Sequence, residues 1–363
     1  METIIDIARH AEKILIVRLS AFGDVLHVLP ALSALRAALP RARFDWATES
    51  LSAPIIQGHP FLGRVWDLPR KAWQRRLRNP VRLFGAAREG VRFFKALRAE
   101  RYGLAIDFQA NLRGAAVARL SGAAATLGFA PSNVKERSHR LHGFTAPPVP
   151  PGAHRVERNL ALARALGFDG PAPPPRLPDL DAETRWARER LGPAPGPVFI
   201  FHAGVSAFGA LKRWTEEGFA ELARRAAPAF NARVLFSWGP GEQALAARLA
   251  ARAGGETAMA PECPSLRHAA GLLRAANLLV APDTGMLHLA DALGLPVVGL
   301  FGPKDPAVYG PRNAPRRCVR SGVSCSPCEK RTCDHRRCML EITPDMVMAA
   351  IEELRGDITH GAL

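Results

Sequence analysis

Residues Ala281 to Gly302 read APDTGMLHLADALGLPVVGLFG. The stretch leaves an apolar run, turns through Asp283-Thr284-Gly285, continues as a helix from Met286 and closes on a strand, Pro296 to Leu300. Such a turn points backbone N–H groups and the positive end of a helix dipole at whatever binds there, so the phosphates of a nucleotide are the first ligand to consider. The same architecture opens the chain, where strand-like Ile14 to Val17 runs into RLSAFGD (Arg18 to Asp24) and an apolar helix from Val25 to about Leu39. One such unit in each half predicts two α/β domains.

Working outward, strands Val198 to Phe201, Arg233 to Phe236 and Asn277 to Val280 alternate with helices Glu216 to Phe230, Gly241 to Ala253 and Ser265 to Ala276. That alternation predicts a parallel sheet covered on both faces. Ligands of such sheets bind beyond the carboxyl ends of the strands, where His202 to Gly204, Trp238 to Glu242, Asp283 to Gly285 and Phe301 to Pro303 fall. In the first half, Phe44 to Thr48 and Leu104 to Phe108 read as strands, and the polar, basic Gly128 to His142 as a functional loop or a mobile surface segment. The proline-rich GPAPPPRLPDLD (Gly170 to Asp181) reads as a stiff linker, separating a domain of residues 1–175 from one of 176–363. Neither a GxGxxG after the first strand nor a GxxxxGK[ST] is present, which argues against a dinucleotide oxidoreductase and a P-loop NTPase.

A chain of 363 residues, 48% hydrophobic, suffices for two cores. No apolar run approaches membrane-spanning length and Met1 to Lys13 has no signal-peptide h-region, so a soluble, cytoplasmic protein is expected. The net charge is +16, with 42 Arg against 7 Lys, and basic residues are densest from Arg64 to Arg101. As a helix, Val81 to Arg98 puts Phe84, Ala87, Val91 and Phe94 on one face and Arg88, Arg92 and Lys95 elsewhere. This basic amphipathic segment fits an anionic lipid, a nucleic acid or a charged sugar. It fits the solvated surface of an Arg-biased chain equally well. A nucleic-acid-binding module is the non-enzymatic alternative, but the interleaved aromatics or reading module it needs are not evident.

The segments RLSAFGDVLHVLPALSALRAALP (Arg18 to Pro40), FDWATE (Phe44 to Glu49), HRVERN (His154 to Asn159), LKRWTEEGF (Leu211 to Phe219) and DTGMLHLADALGLPVVGLFGPKDP (Asp283 to Pro306) resemble the ADP-heptose:lipopolysaccharide heptosyltransferases, glycosyltransferase family 9. GDVLH and DTGMLH look most like the branch that adds the first heptose to Kdo. The resemblance covers nearly the whole chain. It implies the GT-B fold, two Rossmann-like domains whose parallel sheets face a central cleft, with acceptor bound by the first and nucleotide-sugar by the second. The last helix, Pro344 to Leu354, is expected to pack back on the first domain. The implied reaction moves heptose from ADP-L-glycero-D-manno-heptose to the Kdo or inner-core region of lipopolysaccharide with inversion, at the inner face of the inner membrane, with no nucleic-acid partner. A later-acting heptosyltransferase, a transferase of another nucleotide-sugar and a GT-B-like epimerase are the alternatives.

Inverting transfer needs a base for the attacking hydroxyl and cationic or dipolar stabilisation of the departing diphosphate. The match assigns the base to Asp24, for which the bland role is a helix cap. Lys212 is assigned to the phosphates or the leaving-group charge. Thr284, Gly285 and the nearby N–H groups are assigned to phosphate oxygens, and Asp283 to sugar hydroxyls. His288 lies one turn on and could reach the same site. Glu242 resembles the acid that holds ribose hydroxyls, and Pro264 and Ser265 occupy the stretch near adenine. Arg70, Lys71, Arg75, Arg137 and Arg140 are chosen for the carboxylates and phosphates of the acceptor, which arginine suits through its fork of donors. No cofactor is required for this chemistry. Cys325, Cys328, Cys333 and Cys338, spaced C-x2-C-x4-C-x4-C with His335 among them, form a candidate structural zinc set.

Overall fold

The computed structural model describes residues 3–77, 80–255, 257–330 and 332–360; Arg78 of the basic stretch lies outside them. The chain divides into two compact units between Pro178 and Asp179, within the proline-rich segment.

In the first unit the strands are β1 (Lys13–Val17), β2 (Arg43–Glu49), β3 (Leu62–Leu68), β4 (Leu104–Asp107), β5 (Ala125–Gly128) and β6 (Phe144–Thr145). They form one parallel sheet in the order β3-β2-β1-β4-β5-β6. Ile14, Leu15, Ile16 and Val17 have no exposed surface, as a strand covered on both faces requires. The second unit carries β7 (Val198–His202), β8 (Arg233–Ser237), β9 (Thr257–Met259), β10 (Leu278–Pro282), β11 (Val297–Leu300) and β12 (Arg316–Val319). Its sheet is also parallel, in the order β12-β11-β10-β7-β8-β9. Counted within its own unit, each sheet reads 3-2-1-4-5-6, the dinucleotide-fold order. The strand order reverses between β1 and β4 and between β7 and β10, and the carboxyl ends of those pairs are where ligands of such sheets bind.

Two segments differ from the sequence expectation. The apolar run after Asp24 is two helices, Phe22–Leu26 and Leu29–Ala38, rather than one. Pro30 has no N–H and is tolerated only in a first turn, so the second helix restarts just before it. The basic helix spans Pro80–Ala99. Its inner side is formed by Ala86, Phe93 and Leu97, with Phe93 set edge-on against Trp66 and Trp73. Phe84 (81% exposed) and Val91 (68%) instead face outward. The Pro344–Glu352 helix buries Val347, Ala350 and Ile351 in the second unit's own core beside Phe219 and Leu222.

Candidate functional site

In the first unit, β1 ends at Val17 and the chain turns through Arg18 to Ala21 into the helix that carries Asp24 in its first turn. Asp24 accepts a hydrogen bond from the Ala21 N–H at 3.2 Å, so the capping role is filled. The same carboxylate lies 2.7 Å from the Arg18 guanidinium and stays 38% exposed, open to a further partner. Burial works to raise its pKa, but the positive charges of Arg18, His27 and Arg155 outweigh it and hold the carboxyl down to about 2. Arg18 also donates to the Phe108 carbonyl. Gln109, just beyond β4, accepts from the N–H groups of Leu19 (2.8 Å) and Ser20 (3.1 Å).

These groups line a pocket at the reversal between β1 and β4. Arg18, Lys135, Arg155 and Arg158 give it positive charge; Gln109, Asn111 and Asn159 supply amides; Asp24 is the carboxylate. Sequence reasoning found Asp24 but not Lys135, Arg155 or Arg158 as its neighbours. HRVERN was visible as a motif without indicating that Arg155 and Arg158, on the helix Arg155–Arg164, would face the Asp24 turn. The five cations chosen for the acceptor are not among the residues lining this pocket. Arg70 is held by Glu49 through two contacts, 2.6 and 3.1 Å, and by Gln74 at 2.8 Å. Lys71 and Arg75 are exposed on the helix Arg70–Leu77. Arg137, with φ of 54°, and Arg140 are exposed on the same loop as Lys135.

In the second unit, the segment after β7 brings Lys212 to the turn after β10. Its ammonium lies 2.6 Å from the Asp283 carboxylate and donates to the Asp283 carbonyl at 3.1 Å. The other carboxylate oxygen faces His288 Nε2 at 3.2 Å. Asp283 is only 5% exposed. Burial would raise its pKa, but the His288 hydrogen bond and the Lys212 charge hold it well below the usual carboxylate range. Both oxygens are therefore engaged within the protein. One oxygen is engaged by Lys212 and the other by His288. Thr284 is the residue before the helix Gly285–Leu293, yet its side chain makes no capping bond. Its Oγ1 is buried without a partner among the described residues. A buried hydroxyl at a helix N-terminus, beside a lysine, is what a phosphate oxygen would satisfy.

Glu242 accepts from the Gly239 N–H at 2.9 Å. A Cβ on Gly204 would lie 2.2 Å from its carboxylate, so only glycine lets that group lie over the end of β7. His202 is buried beside it, 3.1 Å from Ser237 Oγ; burial lowers its pKa against the opposing pull of Glu242. Ser265 caps the helix Leu266–Arg274 and meets His268 Nδ1 at 2.9 Å, so its hydroxyl is engaged locally, and Pro264 precedes it.

Of the four thiols proposed for zinc, Cys328, Cys325 and Cys333 all lie near enough to Cys338 to raise its pKa further, on top of its burial. Among the described residues no group of three or more His, Cys, Asp or Glu side chains is arranged to hold a metal ion. Cys338 is buried in the second unit's core and Cys325 is exposed. Also among the described residues, no helix is long and apolar enough to cross a membrane.

Residues 91–338 match the family model described as glycosyltransferase family 9 (heptosyltransferase). The chain is 34% identical over 328 residues to lipopolysaccharide heptosyltransferase 1 of Pseudomonas aeruginosa, covering 89% of this chain and 88% of that protein. It is 30% identical over 304 residues to the Escherichia coli K12 lipopolysaccharide heptosyltransferase 1, covering 82% and 90%. Among solved structures, E. coli heptosyltransferase WaaC with ADP superimposes with a TM-score of 0.75 at 27% identity, over 94% of this chain and 99% of that one. The fold is accordingly GT-B, and with likeness of this extent in both sequence and structure the chain belongs to glycosyltransferase family 9, the heptosyltransferases.

Proposed function

We propose that this glycosyltransferase moves heptose from ADP-heptose to the Kdo residue of the lipopolysaccharide inner core, with inversion at the anomeric carbon. The observation that carries the reading is the likeness to lipopolysaccharide heptosyltransferase 1 along almost nine-tenths of both chains. The geometry at both strand reversals supports it.

Asp24 acts as the base. As the acceptor oxygen bonds to the anomeric carbon, its proton passes to Asp24 and the bond from that carbon to the diphosphate breaks, releasing ADP. A carboxyl held near 2 is ionised at any working pH and takes a proton late, once bond formation has acidified the hydroxyl. Lys212, the Thr284 hydroxyl and the N–H groups opening the Gly285–Leu293 helix receive the charge on the leaving diphosphate. Glu242 accepts from the ribose hydroxyls. Arg155, Arg158 and Lys135 meet the acid groups of the acceptor beside Asp24, while the more outlying Lys71, Arg75, Arg137 and Arg140 face its further phosphates. Outward-facing Phe84, Val91, Arg88, Arg92 and Lys95 on one helix support residence at an anionic membrane surface, where such an acceptor lies.

Mass spectrometry of a Kdo-bearing lipid A incubated with ADP-heptose tests the reading. The intact protein adds one heptose mass and Asp24→Asn adds none. Gain with both proteins would remove Asp24 as the base. Gain only on an acceptor already carrying heptose would make this a later-acting transferase.

A further inference from the structure

Two buried ionisable side chains in the first unit are not used by this chemistry. Asp107 ends β4 and His142 closes the Gly128 to His142 loop; both side chains are 1% exposed. His142 Nε2 lies 3.2 Å from Asp107 Oδ2, and no other partner among the described residues meets its Nδ1. The chain makes room for the pair twice. A Cβ on Gly128 would lie 2.3 Å from the His142 ring, and one on Gly114 would lie 2.3 Å from Asp107 Oδ1. Burying such groups costs several kcal/mol that apolar side chains at the same places would not cost.

What the pair holds is the floor of the Asp24 pocket. Asp107 Oδ1 accepts the Gln109 N–H at 2.8 Å. Gln109 Oε1 then takes the N–H groups of Leu19 and Ser20, while the intervening Phe108 carbonyl takes the Arg18 guanidinium that pairs with Asp24. On the other side, His142 ends the loop that carries Lys135, and the Lys135 N–H donates to the Ala110 carbonyl at 3.1 Å. The 107–110 turn thus touches the base-bearing turn on one flank and the cationic loop on the other.

We infer that Asp107, His142 and Gln109 are positioning residues that lock the Asp24 turn and the Lys135 loop to the carboxyl end of β4, fixing the base against the acceptor's charged groups. The inference rests on the reading of Asp24 as base, and its test separates the two. Gln109 is half-buried, so Gln109→Ala removes the shared acceptor without emptying the core. The readout that needs no substrate is the carboxyl carbon of Asp24, followed by NMR with Asp24→Asn as the assignment control. In the intact protein Arg18, His27 and Arg155 keep it ionised, and it does not shift between about pH 7 and 4; in Gln109→Ala and His142→Leu it titrates in that window, towards an ordinary carboxyl.

Heptose transfer at saturating substrates falls about tenfold or more in both variants, because small misplacements of a reacting group are costly, while ADP affinity in the second unit stays within about twofold. Gln109→Glu keeps an acceptor for both N–H groups and returns transfer to within about threefold of the intact protein. An Asp24 signal in Gln109→Ala as silent as in the intact protein overturns the inference, whatever happens to transfer. Losses of transfer matched by equal losses of ADP binding also overturn it. Full transfer by Asp24→Asn sinks the base reading instead and leaves the titration to decide the positioning.

Discussion

Replacing Lys212 by Met separates what the lysine does for folding from what it does for the reaction. Its ammonium is 2.6 Å from a carboxylate that is 5% exposed, while the lysine itself is 25% exposed. At an effective dielectric of about 20 the gross attraction is about 6 kcal/mol, most of it offset by desolvation. Deleting one member of such a pair strands the other and typically costs about 3 to 5 kcal/mol. Asp283 keeps its contact with His288, so the lower end, about 3 kcal/mol, is expected for Lys212→Met in urea unfolding near pH 7. Turnover falls by about a hundredfold to a thousandfold, the usual effect of removing one donor from developing charge.

The double variant Lys212→Met/Asp283→Asn recovers stability to within about 1 kcal/mol, because no buried charge is stranded, yet stays as inactive as the single variant. The stability gap also narrows on acidification, and the sign follows from the two carboxyl groups. In the intact protein Asp283 lies below its unfolded value, so its stabilisation is present at neutral pH and is lost only as pH falls through that depressed value. In Lys212→Met the folded value rises above the unfolded one, and native proton uptake relieves the penalty between about pH 7 and 4. Urea midpoints that coincide for the intact and Lys212→Met proteins refute the pairing argument. Turnover restored in the double variant refutes the phosphate role of Lys212.

Other consequences follow from the same geometry. Because Arg18, His27 and Arg155 outweigh burial and hold Asp24 at about 2, its protonation does not limit kcat/KM above about pH 4. Arg18→Met moves the acid limb of the kcat/KM profile up by about one unit or more; an unmoved limb rules out Arg18 as the group that depresses Asp24. Gly204→Ala pushes a methyl into the Glu242 carboxylate, so calorimetry shows ADP binding weakened by about tenfold, while Asp24 and its pocket are untouched. Equal ADP affinity in Gly204→Ala and the intact protein removes Glu242 from the ribose contact. Phe84→Glu/Val91→Glu reverses the character of the exposed helix stripe and lowers sedimentation with anionic phosphatidylglycerol vesicles by about tenfold; unchanged sedimentation places the membrane surface elsewhere.

How far the sequence disclosed this molecule depended on whether each signal was local. Ile14 to Val17 and the second-unit strands β7, β8, β10 and β11 were legible because buried parallel strands are short unbroken apolar runs between turn residues. β3 was hidden inside the basic stretch: Arg64 and Asp67 interrupt it, and only Trp66 and Leu68 are buried. The Pro80–Ala99 helix was legible as amphipathic but not in which side faces in, because that side is chosen by Trp66 and Trp73, from other parts of the chain. The same division runs through the site. Asp24, Lys212, Thr284 and Glu242 could be singled out as candidates because each sits in a short motif at the end of a strand or the start of a helix. Arg155 and Lys135 were not, because what makes them neighbours of Asp24 is the order of strands in the sheet. That order reverses between β1 and β4, and the reversal opens the edge on which the Arg18 and Gln109 turns meet. A motif states which residue can do chemistry; the charges that lower the Asp24 pKa come from Arg18 and His27 close by in the chain and from Arg155 far along it, and only the fold brings that last one to the same carboxylate.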